Sequence, residues 1–317
     1  MDATNGRTTA AHDIPRRPLG KTGEEVSILC LGGAHLGAKP TAVEATQIIH
    51  AAIDAGIDFM DNAWEYNDHE SERRMGAALA QGGYRQRAFL MTKNCAHDRL
   101  ADNSMVKLEE SLARLKTDYL DLWQVHEVVW QDDPDRIYAA GGAAEAMLKA
   151  KEQGKVRYIG FTGHKDPAIF ERMLAEGFPW DTLQMPVNVL DAHYQSFQAR
   201  ILPLARAQGI GVIGMKSLAA GHLLEGTAVT PQEAIGYALS QEIASLCVGV
   251  DSMEILAQDL AIGRGFQPLS AEEQARILAK AAPHAQGAPF EPFKSSHDYE
   301  GDEARREHGL PLRAAAD

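Results

Sequence analysis

Asp61, Tyr66, Lys93 and His126 are the residues whose types and places most clearly suggest chemistry. Asp61 closes a short apolar run and Tyr66 lies just after it, while Lys93 follows a second run and His126 ends a third. A tyrosine hydroxyl titrates near 10 in water, too high for an efficient proton donor at neutral pH. A neighbouring ammonium stabilises the phenolate and lowers that value. A carboxylate beside the lysine would hold it in place, and a histidine donating from the opposite side would orient a carbonyl oxygen. The set suits protonation of an alkoxide as it forms, which is the demand of carbonyl reduction. Each residue also has a plainer reading: Asp61 as the cap of a turn, Lys93 as a solvated rim residue, His126 as a partner for a backbone carbonyl. Their recurrence at matching ends of consecutive runs favours the joint reading.

Those runs define the scaffold. Strand-like segments occur at Ile28–Leu31, Asp58–Asp61, Ala88–Thr92, Tyr119–His126, Val156–Thr162, Asp181–Val187, Gly211–Met215 and Ser245–Gly249. Amphipathic stretches separate them. Thr41 with Glu44 reads as a capping box, as do Thr230 with Glu233 and Ser270 with Glu273. Asp166-Pro167 opens a helix that Gly177 ends. Met105, Leu108, Leu112 and Leu115 recur at helical spacing. Eight strands alternating with helices predict a closed (β/α)8 barrel, with Lys21-Thr22-Gly23 as the turn of a hairpin ahead of it. Barrels of this kind carry their chemistry at the carboxyl ends of the strands. The expected organisation is a flexible N-terminus over 1–14, one barrel over 15–282, and a tail over 283–317 that folds across the mouth.

The 317 residues carry a net charge of −13. So acidic a surface disfavours nucleic acid and anionic lipid as partners. Cys30, Cys95 and Cys247 are far apart and odd in number, as expected of a reducing compartment. The first residues lack the apolar stretch of a secretory signal, and no apolar run is long enough to span a bilayer, so the expected location is the cytoplasm. Two phosphate-binding patterns fail on context. Gly209-Ile-Gly211-Val-Ile-Gly214 follows a helix and runs into a strand, the reverse of a dinucleotide fingerprint, and Gly209 reads as a helix end. Gly20-Lys21-Thr22 lacks the earlier glycine of a phosphate loop, where Pro15 stands.

At the four polar residues the sequence resembles the aldo-keto reductases. The matching segments are Asp61-Asn-Ala-Trp-Glu-Tyr66, Met91-Thr-Lys93, Asp118-Tyr-Leu-Asp-Leu122 leading to His126, and Lys151-Glu-Gln-Gly-Lys-Val-Arg-Tyr-Ile-Gly160. The resemblance spans about residues 15 to 265. It implies a barrel that binds an extended nicotinamide dinucleotide, with Tyr66 as the acid, Lys93 its modifier, Asp61 the partner of the lysine, and His126 the carbonyl orienter. It also implies cofactor contacts at Gly33, Thr162, Gly163 and Gln184, then at Met215, Lys216, Ser217 and Leu218, and finally at Gly249, Asp251, Ser252 and Glu254. Two departures stand out. Gly163 has no side-chain amide where the family carries asparagine, and Met215-Lys216-Ser217-Leu218 replaces a common aromatic. Methionine can still pack on a flat ring through its sulfur.

The resemblance implies NADP(H) ahead of NAD(H), but Asp251, if it faces the ribose, would repel a 2′-phosphate, so weak discrimination is expected. His35, Trp64, Asn94 and Trp130 are expected on the substrate rim. The partner is a small carbonyl or alcohol. No metal is expected, since Cys95 and His97 beside Lys93 are too few as ligands. Two other readings are a cofactor-sensing subunit with little turnover and a metal-dependent hydrolase using His35, Asp61, His126 and Glu127.

Overall fold

A computed structural model describes residues 14–38, 40–297 and 299–312. The expected flexible N-terminus falls almost entirely outside the described residues, as does the last part of the tail.

The chain enters through an antiparallel hairpin, β1 (Arg16–Pro18) and β2 (Glu25–Ser27), in which Arg17 faces Val26. Its turn is closed by Thr22, whose hydroxyl donates to the Leu19 carbonyl at 2.6 Å. The hairpin plugs the amino-terminal end of the barrel. Leu19 and Val26 are fully buried against Cys30, Phe59, Phe89, Met91, Leu122 and Ile213, which fill the interior. The Arg17 guanidinium ties it down by donating to the carbonyls of Ile243 and Leu239, at 2.9 and 2.7 Å.

Eight parallel strands follow: β3 (Leu29–Gly32), β4 (Phe59–Asp61), β5 (Phe89–Lys93), β6 (Leu120–Val125), β7 (Val156–Thr162), β8 (Thr182–Pro186), β9 (Gly211–Met215) and β10 (Ser245–Gly249). They close in chain order, with β10 beside β3. This is the (β/α)8 barrel that the alternation predicts, and every strand lies within about a residue of its expected place. Outward side chains of the strands meet the apolar faces of the helices in one continuous core that includes Ile48, Leu108, Met147, Phe170 and Ile201. The capping boxes at Thr41, Thr230 and Ser270 are all present, and Asp166 accepts from Ala168 N. Gly209 sits at positive φ just past the helix Phe197–Ala207, the helix-end role expected for it.

Register decides what reaches the mouth. Gly32 lies opposite Asp61, Lys93 opposite Gln124, Thr162 opposite Gln184, and Gly249 opposite Gly32. Asp61, Lys93, Thr162 and Gln184 therefore stand at the carboxyl ends of neighbouring strands.

Beyond the helix Ala271–Ala285, the tail forms two short helices, Pro292–Ser295 and Asp302–Glu307. It rests on the loops after β7, β8 and β9. Lys294, fully buried, pairs with Asp191 at 2.6 Å and donates to the Tyr194 carbonyl at 3.1 Å. Lys165 pairs with Glu300 at 2.5 Å, and His164 contacts the Phe293 carbonyl at 3.2 Å. Among the described residues no helix is long and apolar enough to cross a membrane.

Candidate active site

Lys93 is buried and its ammonium meets three acceptors. One is Asp61 Oδ1, another is the Asn62 carbonyl at 2.8 Å, and the third is the Tyr66 hydroxyl oxygen at 3.2 Å. An ammonium has three N–H donors and no acceptor, so this set uses it completely. Asp61 Oδ2 accepts from Gln184 Nε2 at 2.7 Å and from the Cys247 thiol at 3.2 Å. His126 stands beside Tyr66 with ring centroids 5.5 Å apart, edge to face. The four expected residues are thus brought together at one end of the barrel.

The loop bearing His126 is held by a buried pair that sequence reading missed. Arg99 pairs with Asp133 at 2.8 Å and donates to the carbonyls of His126 and Glu127, at 2.8 and 2.9 Å. Asp133 in turn accepts from the backbone of Val129 and Trp130. Glu127 adopts a left-handed φ of 45°, which bends the chain just after His126. Burial works to raise the Glu127 carboxyl, but His164, His126 and Lys216 outweigh it and hold the group well below the ordinary range. His164 is pushed down to about 4, by burial first and then by Lys216.

Tyr66 departs from the sequence expectation. Burial, then the Asp61 carboxylate, Cys247, Glu127 and Tyr299, carry its hydroxyl well above the ordinary tyrosine value. An ammonium already paired with Asp61 offsets little of this. The phenol is held firmly in its protonated form.

Above these residues opens a cavity of about 630 Å³. Tyr66, Asp61, Glu127 and Gln184 line its inner part, and Met215, Lys216, Ser217 and Leu218 its wall. Gly249, Asp251, Gln258 and Asp259 line the outer part, with Tyr299 from the tail at the rim. Gly33 and His35 also line it. A volume of this order suits a cofactor-sized ligand. Gln184 Oε1 is buried with no partner, because the other amide atom must face the Asp61 carboxylate. An orphaned acceptor at the inner end of the cavity matches the N–H of a carboxamide, so the residues fit a nicotinamide.

The structure places other expected residues elsewhere. Gly163 is not a lining residue: a Cβ there would collide with the Val128 carbonyl, which excludes the family's asparagine at this position. Thr162 is buried at the end of β7 and is also not among the lining residues. Ser252 spends its hydroxyl oxygen capping the helix Met253–Arg264, accepting from Ile255 N at 3.3 Å, and Glu254 is exposed in the first turn of that helix. Ile255, Gln258 and Asp259, later on the same helix, reach the cavity instead. Helical spacing could have flagged them once one member of that face was known.

Three of the four rim expectations are corrected. Trp64 packs edge to face on His69 and donates to Glu110 at 2.8 Å. Asn94 is buried, accepting from His126 N at 3.0 Å, so it supports the histidine. Trp130 stacks with His297 and with His308 of the tail. Only His35 of the four lines the cavity. The set His35, Asp61, His126 and Glu127 does not converge either; the groups of metal-ligating atoms that do, among the described residues, are Cys30, Asp61 and Cys247, and Glu65, Cys95 and His97.

The family model of the aldo/keto reductases matches residues 28–235. The chain belongs to the aldo-keto reductase family. It is an NAD(P)-dependent oxidoreductase. It is 34% identical over 232 residues to an uncharacterized oxidoreductase, YrpG, of Bacillus subtilis, covering 67% of this chain and 68% of that one. It is 26% identical over 300 residues to L-galactose dehydrogenase of Arabidopsis thaliana, covering 82% and 92% of the two chains. In fold it matches the holo form of an aldo-keto reductase from Bacillus halodurans with a TM-score of 0.71 at 24% identity, over 84% of this chain and 96% of that one.

Proposed function

We propose that this aldo-keto reductase reduces an aldehyde, ketone or sugar-like carbonyl, reversibly with the alcohol, with Tyr66 as general acid. The observation that carries the reading is the hydrogen-bond direction at Tyr66. Its oxygen accepts from Lys93 at 3.2 Å, so its own proton is left for a group in the cavity. NAD(P)H, when bound, supplies the hydride. Gln184 would hold the carboxamide through Oε1, and Met215 would pack beside the ring. Lys93, fixed by Asp61 and the Asn62 carbonyl, stabilises the phenolate as the proton leaves. An alkoxide is a far stronger base than a phenolate, so even this elevated hydroxyl gives up its proton. His126 orients the carbonyl oxygen from the other side.

The ionised Glu127 at the inner cavity supplies acceptors for substrate hydroxyls, which supports a polyhydroxylated carbonyl. L-galactose dehydrogenase among the relatives supports the same class. The outer cavity is lined by Asp251 and Asp259 and by no arginine, with Lys216 the single lysine among the lining residues. This supports weak discrimination between NADPH and NADH. Three free cysteines support a reducing compartment such as the cytoplasm.

The test is turnover of a panel of sugar aldehydes and simple carbonyls, followed by nicotinamide absorbance, with Tyr66→Phe as control. The variant should lose about 10²–10⁴ in rate with cofactor affinity little changed, the usual effect of losing a general acid. Retention of more than about a tenth of the rate assigns the acid elsewhere. Cofactor binding without turnover on any carbonyl would favour a sensing role. A preference for NADPH above about a hundredfold, roughly 2.7 kcal/mol, overturns the weak-discrimination reading.

A further inference from the structure

Glu65, next to Tyr66 in sequence, has no part in the proton path above, yet it is placed between two imidazoles. Its Oε2 lies 3.2 Å from His97 Nε2, and its Oε1 is in contact with His126 Nδ1. Oε1 and Nδ1 are both buried, and neither has a hydrogen-bond partner in any other group. Buried polar atoms are rarely left unpaired, so the two serve each other. The backbone around them is fixed independently: His126 N donates to Asn94, and the His126 carbonyl accepts from Arg99.

We propose that Glu65 is a positioning residue that keeps a proton on Nδ1 of His126 and leaves Nε2 as the nitrogen that meets the substrate oxygen, with His97 holding the carboxylate in place. A carboxylate is acceptor-only, so the nitrogen facing it must carry hydrogen. Nε2 then donates to a carbonyl oxygen only when the ring carries its second proton. Reduction therefore uses the imidazolium form of His126, whose charge the Glu65 carboxylate balances, and alcohol oxidation runs back through the same form because the two directions share one transition state. The orienting histidine thus acts as one half of a carboxylate–histidine pair in both directions.

The surrounding charges are consistent with an ionised Glu65. Burial works to raise its carboxyl, but His126 and His97 outweigh burial and the repulsion of Glu127, bringing it down to about 2. Burial lowers His97, yet Glu65, with Glu303 from the tail and Glu127, moves it up overall. The Cys95 thiol beside them is pushed up to about 11, chiefly by burial, and stays neutral.

The inference rests on the carbonyl-reductase reading, and its first readout is independent of activity. Ring ¹H–¹⁵N correlation spectra of the ligand-free, histidine-labelled protein at pH 8 should show His126 protonated at Nδ1, with His126→Gln used for assignment. Glu65→Gln should abolish that preference, since one neutral amide oxygen cannot serve two imidazoles as a charged carboxylate does. With a carbonyl found by the panel, the same variant should lose at least about tenfold in kcat with the substrate KM little changed, as loss of an outer partner of a working histidine does. Glu65→Asp should recover part of that loss. A bare Nδ1 on His126 in the unaltered protein overturns the proposal without any variant. So does a Glu65→Gln protein that keeps the spectrum, whatever its kcat. If no carbonyl is turned over, the reductase reading fails while the tautomer still decides this one.

Discussion

At the scale of single residues, the site works by hydrogen-bond direction more than by bulk charge. Lys93 uses its three N–H groups on Asp61, Asn62 and Tyr66, and this leaves the tyrosine proton facing the cavity. The same burial that shapes the cavity drives the Tyr66 hydroxyl well above its usual range, with Asp61 next in effect. Two consequences are measurable. In an ultraviolet difference titration, the ligand-free protein minus Tyr66→Phe should show phenolate only above about pH 10, after ordinary tyrosines. A difference signal with a midpoint below that value contradicts the buried, carboxylate-flanked phenol. Lys93→Met should move that titration still higher, because the phenolate loses the ammonium that donates to it. An unchanged midpoint in a folded Lys93→Met protein would mean that the ammonium does not act on Tyr66.

The helices and loops decide which side chains the cavity receives. The helix Met253–Arg264 presents Asp259 to the outer cavity, buried and, among the described residues, without a cationic partner. Burial carries its carboxyl up to about 7, against 3.8 for an ordinary aspartate, and its hydrogen bond to Gln258 offsets this only in part. A raised folded-state value means that the native protein holds this proton more tightly than the unfolded chain. Its contribution is complete below about pH 4 and is lost as pH rises through 7. Asp259→Asn should therefore stabilise the protein at pH 8, by as much as a few kcal/mol, and change little at pH 4. Denaturant melts at the two pH values check this, and equal effects at both would show that Asp259 is solvated. The Arg99–Asp133 pair plays the converse part. It is a buried charge pair in which both terminal nitrogens of Arg99 donate to the loop that carries His126 and Glu127.

Over the whole molecule, the barrel is sealed at one end by the hairpin and covered at the other by the tail. The tail is fastened by Lys294, fully buried, to Asp191 and the Tyr194 carbonyl. Tyr299 then reaches the cavity rim, where Lys216 donates to its hydroxyl at 3.2 Å. Lys294→Met should cost about 3 kcal/mol, the usual effect of removing one partner from a buried ion pair. It should also expose residues beyond 285 to limited proteolysis. A stability change within about 0.5 kcal/mol would place the anchor elsewhere.

The barrel was legible in the sequence because its signals are local. Strand runs, capping boxes and helical spacing each depend on a few neighbouring residues, and eight repeats leave few ways to close a parallel sheet. The convergence of Asp61, Tyr66, Lys93 and His126 was legible for the same reason, since strand ends share one rim. What only the tertiary structure decided is where side chains turn once the rim is crowded. Trp64 and Trp130 look like rim aromatics, but Lys107 and Arg114 sit over one and two tail histidines stack on the other. Asn94 reads as a substrate contact and is consumed by the His126 backbone. Gly163 lacks its amide because the Val128 carbonyl already occupies that space. Glu65 sits in plain view beside Tyr66. No spacing rule aims it at an imidazole from another strand, because such contacts depend on loop paths and barrel register across about sixty residues of chain.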